Sequence, residues 1–331
     1  MNILITGGTG FVGSHMIDHI LKYKAKHDDK VYCTKRWMED TKNIDHIDDD
    51  RFEFVDCDLL DGLSVKRAIE VSKPDKVFHF AAQSFPEVSF KMPVLTLQTN
   101  TVGTTNLLES IKESDYDPVI VSISSSEVYG MPEEHEVPIK ETNPIRPANP
   151  YSISKVGHDL MSQYYYKAYG MKIIITRMFS HEGKRRGKQF ALSSFAHQIV
   201  KWEKSKDFPM DAPMKGYPIK HGNLDSIRTY NHIDDAVHAY WLAVDNCDYG
   251  EVYNIGGDYT CTIGDALDML ISKSLNPNAF CKELDPERVR PTDITLQIPS
   301  SDKFREKTGW KPTKGLEEIC DDLLNYWREV L

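Results

Sequence analysis

Tyr151 and Lys155 stand four residues apart in this 331-residue chain, a spacing that puts a phenol and an ammonium on one face of a helix. Tyrosine titrates at about pH 10. A lysine ammonium at about 4 Å, at an effective dielectric of about 20, favours the phenolate by about 4 kcal/mol, or roughly three pKa units. We therefore expect Lys155 to bring Tyr151 into the range where it can serve as a general acid or base.

Two segments that precede this pair carry further chemistry. Residues 7–13 read Gly-Gly-Thr-Gly-Phe-Val-Gly, and residues 124–127 read Ser-Ser-Ser-Glu. Gly7, Gly10 and Gly13 follow a short apolar run and open a helical pattern, so the backbone can approach a pyrophosphate at the helix N-terminus. Such a loop alone also occurs in ordinary strand-to-helix turns. The glycine loop, the serine run and the Tyr-x-x-x-Lys, in this order, indicate a nicotinamide-dependent redox site.

Composition and charge narrow the class of protein. Hydrophobic residues make up 40% and charged residues 27%, as in a soluble globular protein with a packed core. The net charge of −10 argues against binding to nucleic acid or to a membrane surface, and against a nucleic-acid patch at residues 184–188. The six cysteines have neither C-x-x-C nor metal-ligand spacing, so we expect no metal site and a reducing, cytoplasmic location. No secretory leader and no long apolar run is evident, so neither secretion nor membrane spanning is expected.

Short apolar runs alternate with helical patterns over the first half of the chain. This alternation predicts an α/β fold with a doubly wound parallel sheet of the Rossmann type. Strands are predicted at Ile3–Thr6, Val31–Thr34, Phe52–Val55, Val77–Phe80, Val119–Ile123, Ile173–Thr176 and Val252–Ile255, and helices at 11–24, 62–73, 94–113, 151–169, 192–204 and 313–331.

The pattern changes after Arg177. Residues 180–190 are polar and basic, and 205–222 read as a loop rich in Pro, Gly and Lys. We predict a dinucleotide-binding domain from residues 1–177 with 231–256. Residues 178–230 with 257–331 then form a smaller C-terminal substrate lobe at the carboxyl edge of the sheet, where open α/β folds bind ligands.

The ends of three predicted strands suggest how a dinucleotide is held. Asp58 and Leu59 follow the third strand, and residues 81–83 (Ala-Ala-Gln) follow the fourth, where adenine and ribose contacts belong. The second strand ends in Lys35 and Arg36, with no acid in the position that commonly binds a ribose 2′-hydroxyl. The basic pair favours NADP over NAD, although two solvated surface cations are the simpler alternative.

These features resemble the extended short-chain dehydrogenase/reductase family. Within its nucleotide-sugar branch, the chain looks like the GDP-mannose 4,6-dehydratases and the related GDP-4-keto-6-deoxymannose reductases. The similarity spans essentially the whole chain, and its C-terminal motifs are more specific than the glycine loop. The motifs are Ala81-Ala82-Gln83-Ser84 with 88–90, Ser124–Gly130, His181-Glu182, Arg185-Arg186-Gly187, Gly222–Asp225 with Arg228, Asp285-Pro286, Arg290–Asp293 and Gly309–Pro312.

The resemblance implies a role for each matching residue. Ser125, Tyr151 and Lys155 would form the catalytic triad, and Glu127 would be the base of a dehydratase. The implied cofactor-binding residues are Gly7, Thr9, Gly10, Phe11, Val12, Gly13, Lys35, Arg36, Asp58, Leu59, Ala81, Ala82, Gln83, Asn100, Tyr151, Lys155, His181 and Arg186. The implied substrate-binding residues are Ser84, Ser126, Ser180, Gly222, Asn223, Arg228, Arg290 and Asp293. Of these, Gly222 and Asn223 would lie near guanine, Arg228 and Arg290 on the pyrophosphate, and Asp293 near a ribose hydroxyl.

Two positions depart from the family pattern. The family usually has Thr where Ser125 stands, and the hydroxyl is kept. It usually has Asn where Ser180 stands, and that amide helps to hold the substrate, so the identity of the sugar stays open.

Simpler explanations exist for several of these residues. Arg228 and Arg290 could be surface ion-pair partners, although two arginines in one lobe suit a diphosphate, which guanidinium groups bind bidentately. Glu127 could cap the turn that follows it. His181 and His232 could be structural histidines, and we assign neither a catalytic role.

Several functions fit this pattern. The first is a GDP-mannose 4,6-dehydratase, which oxidises C4, eliminates water across C5 and C6, and returns the hydride to C6. A 4-keto sugar reductase would use the same triad without a base at Glu127. A C4 dehydrogenase or dehydratase of a GDP-heptose is a further variant. A binding module that only senses the cofactor would not need the intact Tyr151 and Lys155.

We also expect a homo-oligomer, a dimer or a tetramer. The resemblance implies that the helices of 94–113 and 151–169 pair into a four-helix bundle between two copies, and the Arg185-Arg186 loop could extend the assembly to a tetramer. The apolar residues available for the bundle are Leu95, Val102, Leu107, Leu108, Met161, Tyr164 and Tyr165.

Overall fold

The computed structural model describes residues 1–206, 208 and 216–331. The loop predicted over residues 205–222 therefore lies partly outside the described residues. The described end of that stretch is not all loop, because residues 217–221 form a strand.

Thirteen strands are found in the described residues. They are β1 (Asn2–Thr6), β2 (Lys30–Lys35), β3 (Phe52–Asp56), β4 (Lys76–His79), β5 (Val119–Ile123), β6 (Ile173–Met178), β7 (His181–Glu182), β8 (Tyr217–His221), β9 (Ile227–His232), β10 (Val252–Ile255), β11 (Tyr259–Thr262), β12 (Phe280–Leu284) and β13 (Leu296–Gln297). Seven of them form one parallel sheet in the order β10-β6-β5-β4-β1-β2-β3. The order reverses between β1 and β4, which confirms the doubly wound Rossmann-type sheet.

Eleven α-helices accompany these strands in the described part of the chain. They are α1 (Phe11–Tyr23), α2 (Gly62–Ser72), α3 (Pro86–Lys91), α4 (Pro93–Leu97), α5 (Gly103–Lys112), α6 (Pro150–Tyr169), α7 (Ala191–Glu203), α8 (Ile233–Asn246), α9 (Ile263–Ser272), α10 (Asp302–Thr308) and α11 (Leu316–Val330). Across residues 1–206, 208 and 216–331, no helix combines the length and the apolarity needed to cross a bilayer.

Successive side chains of each strand point to opposite faces of the sheet, and each face has its own core. Ile5 and Phe78 pack with α1 and α8 on one face. Leu4 and Val77 pack with α2, α5 and α6 on the other face. Both faces of the sheet are therefore covered, which is why its strands read as nearly continuous apolar runs.

The helix predicted over residues 94–113 is not one regular helix. A π-helical segment, Gln98–Val102, separates α4 from α5. The buried Asn100 lies inside this segment, and its side chain pairs with the backbone of Gln83 through N–H···O contacts of 2.7 and 2.9 Å. A widened turn of this kind is often found at a functional site, and here it turns a polar side chain inward.

The C-terminal part of the chain builds a second core beside the carboxyl edge of the sheet. Strand β9 pairs with β7, β11 and β13, while β8 pairs with β12. Helices α7, α9 and α11 pack around Leu267, Ile319 and Leu323. Phe304 and Trp310 instead pack into the core of the large sheet, although they come late in the sequence. The assignment of residues 257–331 to the substrate lobe stays a prediction.

Candidate active site

The glycine loop connects β1 to α1 in a conformation that side chains would obstruct. Gly7 has φ +69°, and a Cβ there would lie 2.8 Å from the backbone of Ala81. A Cβ at Gly13 would lie 2.3 Å from the Gly7 oxygen. Gly10 caps α1 without a side-chain hydrogen bond, and the first turn carries no acidic residue. The N-terminus of α1, with its partial positive charge, is therefore open to an anion.

The turn after β2 brings an acid to this loop that the sequence-based prediction missed. The Glu39 carboxylate accepts the Thr9 hydroxyl at 3.0 Å and the Arg36 backbone N–H at 2.8 Å. Arg36 Nε also lies 3.4 Å from the Glu39 carboxylate, while Lys35 pairs with Asp56 at 2.9 Å. Glu39 therefore brings an acid to the basic pair from the following turn, although no acid stands at the end of β2 itself. Met38, in the left-handed region at φ 56°, turns the chain so that Glu39 reaches Thr9.

Helix α6 begins where its local sequence sets the start. The Asn149 side chain accepts the Ser152 N–H at 2.8 Å, and the Ser152 hydroxyl accepts the Asn149 N–H at 2.9 Å. Pro150 occupies the first helical position, where its missing N–H costs nothing. This start places Tyr151 in the first turn of the helix and Lys155 one turn later. There, Lys155 Nζ donates to the Ile123 carbonyl at 2.6 Å.

A buried ion pair fixes α6 against β6. Arg177 donates two hydrogen bonds to Asp159, at 2.8 and 3.1 Å, and both side chains are buried. The same guanidinium donates to the Tyr129 hydroxyl at 2.8 Å. Tyr129 ends the turn that carries Ser125 and Glu127, so one arginine holds that turn and α6 together.

Ser125 and Glu127 lie on the short turn that follows β5. The Ser125 hydroxyl accepts the Glu127 N–H at 3.2 Å, and Ser125 is hydrogen-bonded to Tyr151. The Glu127 carboxylate accepts the Asn149 amide at 2.9 Å. Its charge raises the pKa of both Tyr151 and Arg228, so it lies near both side chains. Ser125, Glu127 and Tyr151 therefore come together as predicted from the order of the motifs.

The electrostatics of Tyr151 and Lys155 differ from the sequence-based expectation. Burial raises the pKa of Tyr151, and Glu127 raises it further, while Ser125 and Arg186 lower it. Burial lowers the pKa of Lys155 to about 7, against the opposing effect of Asp159. A lysine with this pKa is only partly charged at neutral pH, so it stabilises a phenolate weakly. The expectation that Lys155 by itself lowers the pKa of Tyr151 is therefore wrong for this structure.

Arg186 bridges the glycine loop and the C-terminal lobe. Its guanidinium carbon lies 4.8 Å from the Phe11 ring centroid and 3.4 Å from that of Phe190. Its Nε lies 3.5 Å from the carboxylate of Glu182, which is buried. His181 stacks on Phe11 with ring centroids 5.9 Å apart. The predicted cofactor residues Phe11, His181 and Arg186 thus form one surface beside the N-terminus of α1.

The loop that holds Arg186 folds onto its own subunit. Arg185 has φ 65°, and its guanidinium donates to Asp18 of α1 at 2.7 Å. The Lys184 carbonyl lies 3.0 Å from His15 Nε2, also on α1. These contacts engage Arg185 within its own chain, and the extension of the assembly to a tetramer through this loop stays a prediction.

The predicted substrate residues of the C-terminal lobe form a second group. Asn223 donates to the Asp293 carboxylate at 3.0 Å, and Arg228 lies 3.9 Å from that carboxylate. Arg228 also donates to the carbonyls of Ile227 and Ile294. Burial lowers its pKa, with opposing effects from Asp293, Tyr230 and Glu127, and the nearby Arg290 lowers it too. Arg228 therefore lies near both Arg290 and Glu127.

The other predicted residues have varied surroundings. Ser126 donates to Gln297 Oε1 at 2.8 Å, which ties the catalytic turn to β13. Ser84 is exposed, Leu59 is buried, and the carboxylate of Asp58 accepts the Leu60 N–H at 2.9 Å. Gly222 packs closely, since a Cβ there would lie 2.5 Å from the Arg288 oxygen. The backbone carbonyl of Ser180 accepts the Asn231 N–H at 2.9 Å. Val12 and Ala82 complete the predicted cofactor-binding set.

The residues around the glycine loop fit a nicotinamide dinucleotide. The open N-terminus of α1 and the glycine cradle suit its diphosphate. Two polar atoms, Ser124 Oγ and Arg186 Nε, are buried without a hydrogen-bond partner among the described residues. A buried polar group without a partner costs free energy, so a polar ligand there stabilises the site. Over the same part of the chain, no group of three His, Cys, Asp or Glu is placed to hold a metal ion.

Sequence reasoning missed several side chains of this region. The capping role of Asn149 had a local signal, because Asn-Pro stands before the helix and Ser152 occupies the third helical position. Glu39, Phe190 and Gln297 had no such signal, since each reaches the site only through the tertiary fold.

Comparisons with known proteins agree with this geometry. The sequence model of the GDP-mannose 4,6 dehydratase family matches residues 4–323. The chain is 26% identical to the GDP-6-deoxy-D-mannose reductase of Pseudomonas aeruginosa, over 98% of this chain and 96% of that protein. It is also 26% identical to the GDP-mannose 4,6-dehydratase of Yersinia enterocolitica, over 97% of this chain and 92% of that protein.

A solved structure extends the similarity to the fold. The dTDP-glucose 4,6-dehydratase DesIV of Streptomyces venezuelae, determined with NAD bound, superposes with a TM-score of 0.85 at 25% identity. The alignment covers 100% of this chain and 98% of that one. The family match over almost the full length, the Rossmann-type sheet and the assembled Ser125, Tyr151 and Lys155 lead to one conclusion. The chain belongs to the GDP-mannose 4,6-dehydratase family of extended short-chain dehydrogenases/reductases.

Proposed function

We propose that the protein is a nucleotide-sugar 4,6-dehydratase that acts on GDP-mannose or a closely similar GDP-sugar. The observation that supports this most is the position of Glu127. Its carboxylate accepts a hydrogen bond from Asn149 at 2.9 Å and lies near both the phenol of Tyr151 and the guanidinium of Arg228. A dehydratase needs a base at this point of the site, whereas a reductase does not.

The side chains have distinct tasks in this reaction. A bound nicotinamide would supply the redox chemistry by accepting a hydride from C4 and returning it at C6. Tyr151, hydrogen-bonded to Ser125, takes the proton of the C4 hydroxyl as the ketone forms. The ketone makes the C5 proton acidic, and Glu127 removes it. The C6 hydroxyl leaves as water with the proton that Glu127 took from C5. A second proton, which balances the one that Tyr151 took from the C4 hydroxyl, adds to C5 as the hydride is returned to C6.

Charged groups of the C-terminal lobe suit the nucleotide half of the substrate. Arg228 and Arg290 are the candidates for a diphosphate, because guanidinium groups bind phosphate oxygens bidentately. Asn223 and Asp293, which are hydrogen-bonded to each other at 3.0 Å, are candidates for the guanine and a ribose hydroxyl.

The deciding experiment mixes purified protein with GDP-mannose and nicotinamide cofactor, without added reductant. We expect a 4-keto-6-deoxy product with no net change of cofactor redox state, since the hydride taken from C4 is returned to C6. Failure to consume GDP-mannose under conditions where the protein binds cofactor would contradict this substrate.

A reductase is the second candidate, supported by the 26% identity to a GDP-6-deoxy-D-mannose reductase. A reductase would consume reduced cofactor with a GDP-4-keto-6-deoxy sugar in a one-to-one ratio. Stoichiometric oxidation of the cofactor with that sugar, together with no reaction of GDP-mannose, would favour this function over the dehydratase.

We further propose NADP as the preferred cofactor, with Arg36 beside its 2′-phosphate. Glu39 opposes this preference, because its carboxylate already accepts a hydrogen bond from Arg36. Arg36→Ala should weaken NADP binding roughly tenfold or more and spare NAD, since a hydrogen bond to a charged group contributes about 1.5–3 kcal/mol. Glu39→Gln should strengthen NADP binding.

Titration of both cofactors at one ionic strength measures these changes. Arg67→Ala, which removes an exposed arginine of α2, is the matched control and should alter neither affinity. Tighter binding of NAD than of NADP by the unchanged protein would contradict the proposed preference.

Self-association through α4 and α6 is a further prediction. Leu95, Ile153, Leu160 and Tyr164 of these helices are 37 to 51% exposed, although they are large and apolar. Leu107, Leu108 and Tyr165, which the sequence also offered for this surface, are buried in the core and belong to no interface. Burial of the exposed set is favourable at about 25 cal/mol per Å².

Light scattering should therefore give about twice the chain mass of 37.9 kDa at micromolar protein concentration. Leu160→Glu would place a charge in the apolar face and should shift the mass toward the monomer. A monomeric mass for the unchanged protein would refute the predicted interface.

A further inference from the structure

Two stacked histidines lie inside the fold, next to the helix that carries Lys155. His79 ends β4 and His158 belongs to α6, and their parallel rings have centroids 5.3 Å apart. Both side chains are buried. His158 follows Lys155 by three residues, so the two side chains lie on one face of α6.

A single hydroxyl joins the two imidazoles. Thr104 Oγ1, on α5, lies 2.9 Å from His79 Nε2 and 2.8 Å from His158 Nδ1. It donates its own proton to the Asn100 carbonyl at 2.7 Å. A hydroxyl has one proton and two acceptor lone pairs. Because the proton is used, Thr104 must accept an N–H from each imidazole.

This requirement fixes both tautomers. His79 carries its proton on Nε2, so its Nδ1 accepts from the Thr6 hydroxyl at 2.7 Å. His158 carries its proton on Nδ1, so its Nε2 accepts from the Ser122 hydroxyl at 2.7 Å, and Ser122 in turn accepts from the Ser162 hydroxyl at 2.7 Å. Every ring nitrogen then has one partner of the right kind, and a second proton on either ring would face a hydroxyl hydrogen.

Burial and the surrounding charges also keep both rings neutral. Burial and the Lys155 amine lower the pKa of His79 to about 3. Burial, Lys155 and the neighbouring His79 lower the pKa of His158 well below its ordinary value. Asp159, the next residue on α6, is engaged by Arg177.

Thr6, His79, Thr104, His158 and Ser122 form one hydrogen-bonded array. One end of this array contacts the loop after β4, which carries predicted cofactor residues. The Thr6 hydroxyl that donates to His79 accepts the Ala81 N–H at 3.2 Å. Asn100, whose carbonyl receives the Thr104 proton, pairs with the backbone of Gln83. The positions of both loop residues are therefore tied to the two histidines.

The other end reaches the catalytic helix. The Asn100 amide donates to Ser154 at 2.8 Å, and Ser154 directly precedes Lys155. Ser122 of β5 lies 2.7 Å from both His158 and Ser162, one turn apart on α6. His158 thus has hydrogen-bond partners on two separate elements, α5 and β5, and its ring also stacks on His79 of β4, which is more than a histidine that only filled the core would need.

We propose that His158 is a positioning residue of the reaction, which sets Lys155 relative to the loop after β4 through its hydrogen bonds to Thr104 and Ser122. This inference rests on the proposed function, since it assigns Lys155 and that loop to the redox site. His158 touches no reacting atom in this role, and it acts by holding α6 in register with β4 and β5.

The first test measures kinetics with the sugar that the unchanged protein turns over. His158→Phe keeps a ring of similar size and removes both hydrogen bonds, whereas Thr104→Val removes the shared acceptor and leaves α6 unaltered. We expect kcat to fall by roughly 10²-fold, the cost of a misplacement of about 1 Å. KM should stay unchanged, because the lost interaction acts on the transition state.

Two further variants complete the kinetic test. His158→Asn retains an N–H that can donate to Thr104, so it should recover part of the lost kcat. His238→Phe, a half-buried histidine of α8 outside the array, is the control and should leave kcat unchanged. An unchanged kcat in both His158→Phe and Thr104→Val would overturn the proposal, as would a loss of cofactor affinity and of melting temperature that accounts for the whole loss of activity.

The second test needs no substrate and so separates this proposal from the proposed function. Nitrogen NMR of the imidazoles should show neutral rings, protonated on Nε2 in His79 and on Nδ1 in His158. Thr104→Val should shift the signals of the Lys155 amine and of the Ala81 and Gln83 amides, whereas His238→Phe should not. The opposite tautomers, or unshifted signals in Thr104→Val, would overturn the positioning role even if GDP-mannose is the substrate. If GDP-mannose is not consumed but the signals shift as expected, the positioning role stands and the proposed function fails.

Discussion

Tyr151→Phe is expected to lower turnover by about 10²–10⁴-fold, the usual contribution of a positioned general acid or base. The substitution removes only the phenolic oxygen, which is the group that we propose to receive the C4 proton. It also removes the hydrogen bond to Ser125, whose net contribution to stability is about 0.5–1.5 kcal/mol. The fold should therefore persist while the reaction stops.

Tyr166→Phe is the matched control for this experiment. It makes the same chemical change on the same helix, about 22 Å further along at 1.5 Å per residue, on an exposed side chain. Turnover of the control should equal that of the unchanged protein, and both variants should melt close to it. Activity of Tyr151→Phe within about tenfold of the unchanged protein would mean that another group moves the proton.

The pH dependence of this reaction should also reflect the buried Lys155. Because burial lowers its pKa to about 7, its positive charge is present below that pH and is lost above it. The ammonium favours the phenolate of Tyr151, so its loss disfavours proton release from the phenol. This electrostatic state could not be derived from the Tyr-x-x-x-Lys spacing, because the spacing does not reveal how deeply both groups are buried.

Local sequence patterns were sufficient to predict the strands of the large sheet and the start of α6. The seven strands of the large sheet are short apolar runs between helices, and all seven were predicted from those runs. The start of α6 was also foreseen, since Pro150 blocks an earlier start. The strands of the C-terminal lobe gave no comparable signal. Strands β7 and β13 have two residues each and exist only because they pair with β9.

Tertiary contacts decided the rest of the candidate site. Glu39 reaches Thr9 through a turn that no sequence pattern predicts, and it changes the expected surroundings of Arg36. The apolar periodicity of α5 likewise predicts an apolar helix face, but it does not tell whether that face packs against the core of the same chain or against a second copy. Leu107 and Leu108 were therefore offered for an interface although they are buried against the sheet.

Glu127→Gln separates the two leading functions. A dehydratase needs the carboxylate to remove the C5 proton after the ketone has formed. The amide keeps the size of the side chain and can still accept from Asn149, but it cannot take a proton. Formation of the 6-deoxy product should therefore fall by about 10²–10⁴-fold. Oxidation at C4 should persist, because Tyr151, Ser125 and Lys155 are unchanged, so reduced cofactor should accumulate as absorbance in the reduced-nicotinamide band.

An increase in the absorbance of reduced nicotinamide is the result that we would not expect if Glu127 had only a structural role. Loss of the turn's geometry would suppress C4 oxidation and product formation together, whereas loss of the base separates them. Glu134→Gln, which makes the same change on an exposed glutamate of the next turn, should alter neither step. If Glu127→Gln instead reduces 4-keto sugars as fast as the unchanged protein, the carboxylate is not a catalytic base. The hydrogen bond from Asn149 would then only fix the start of α6, and the site would be that of a reductase.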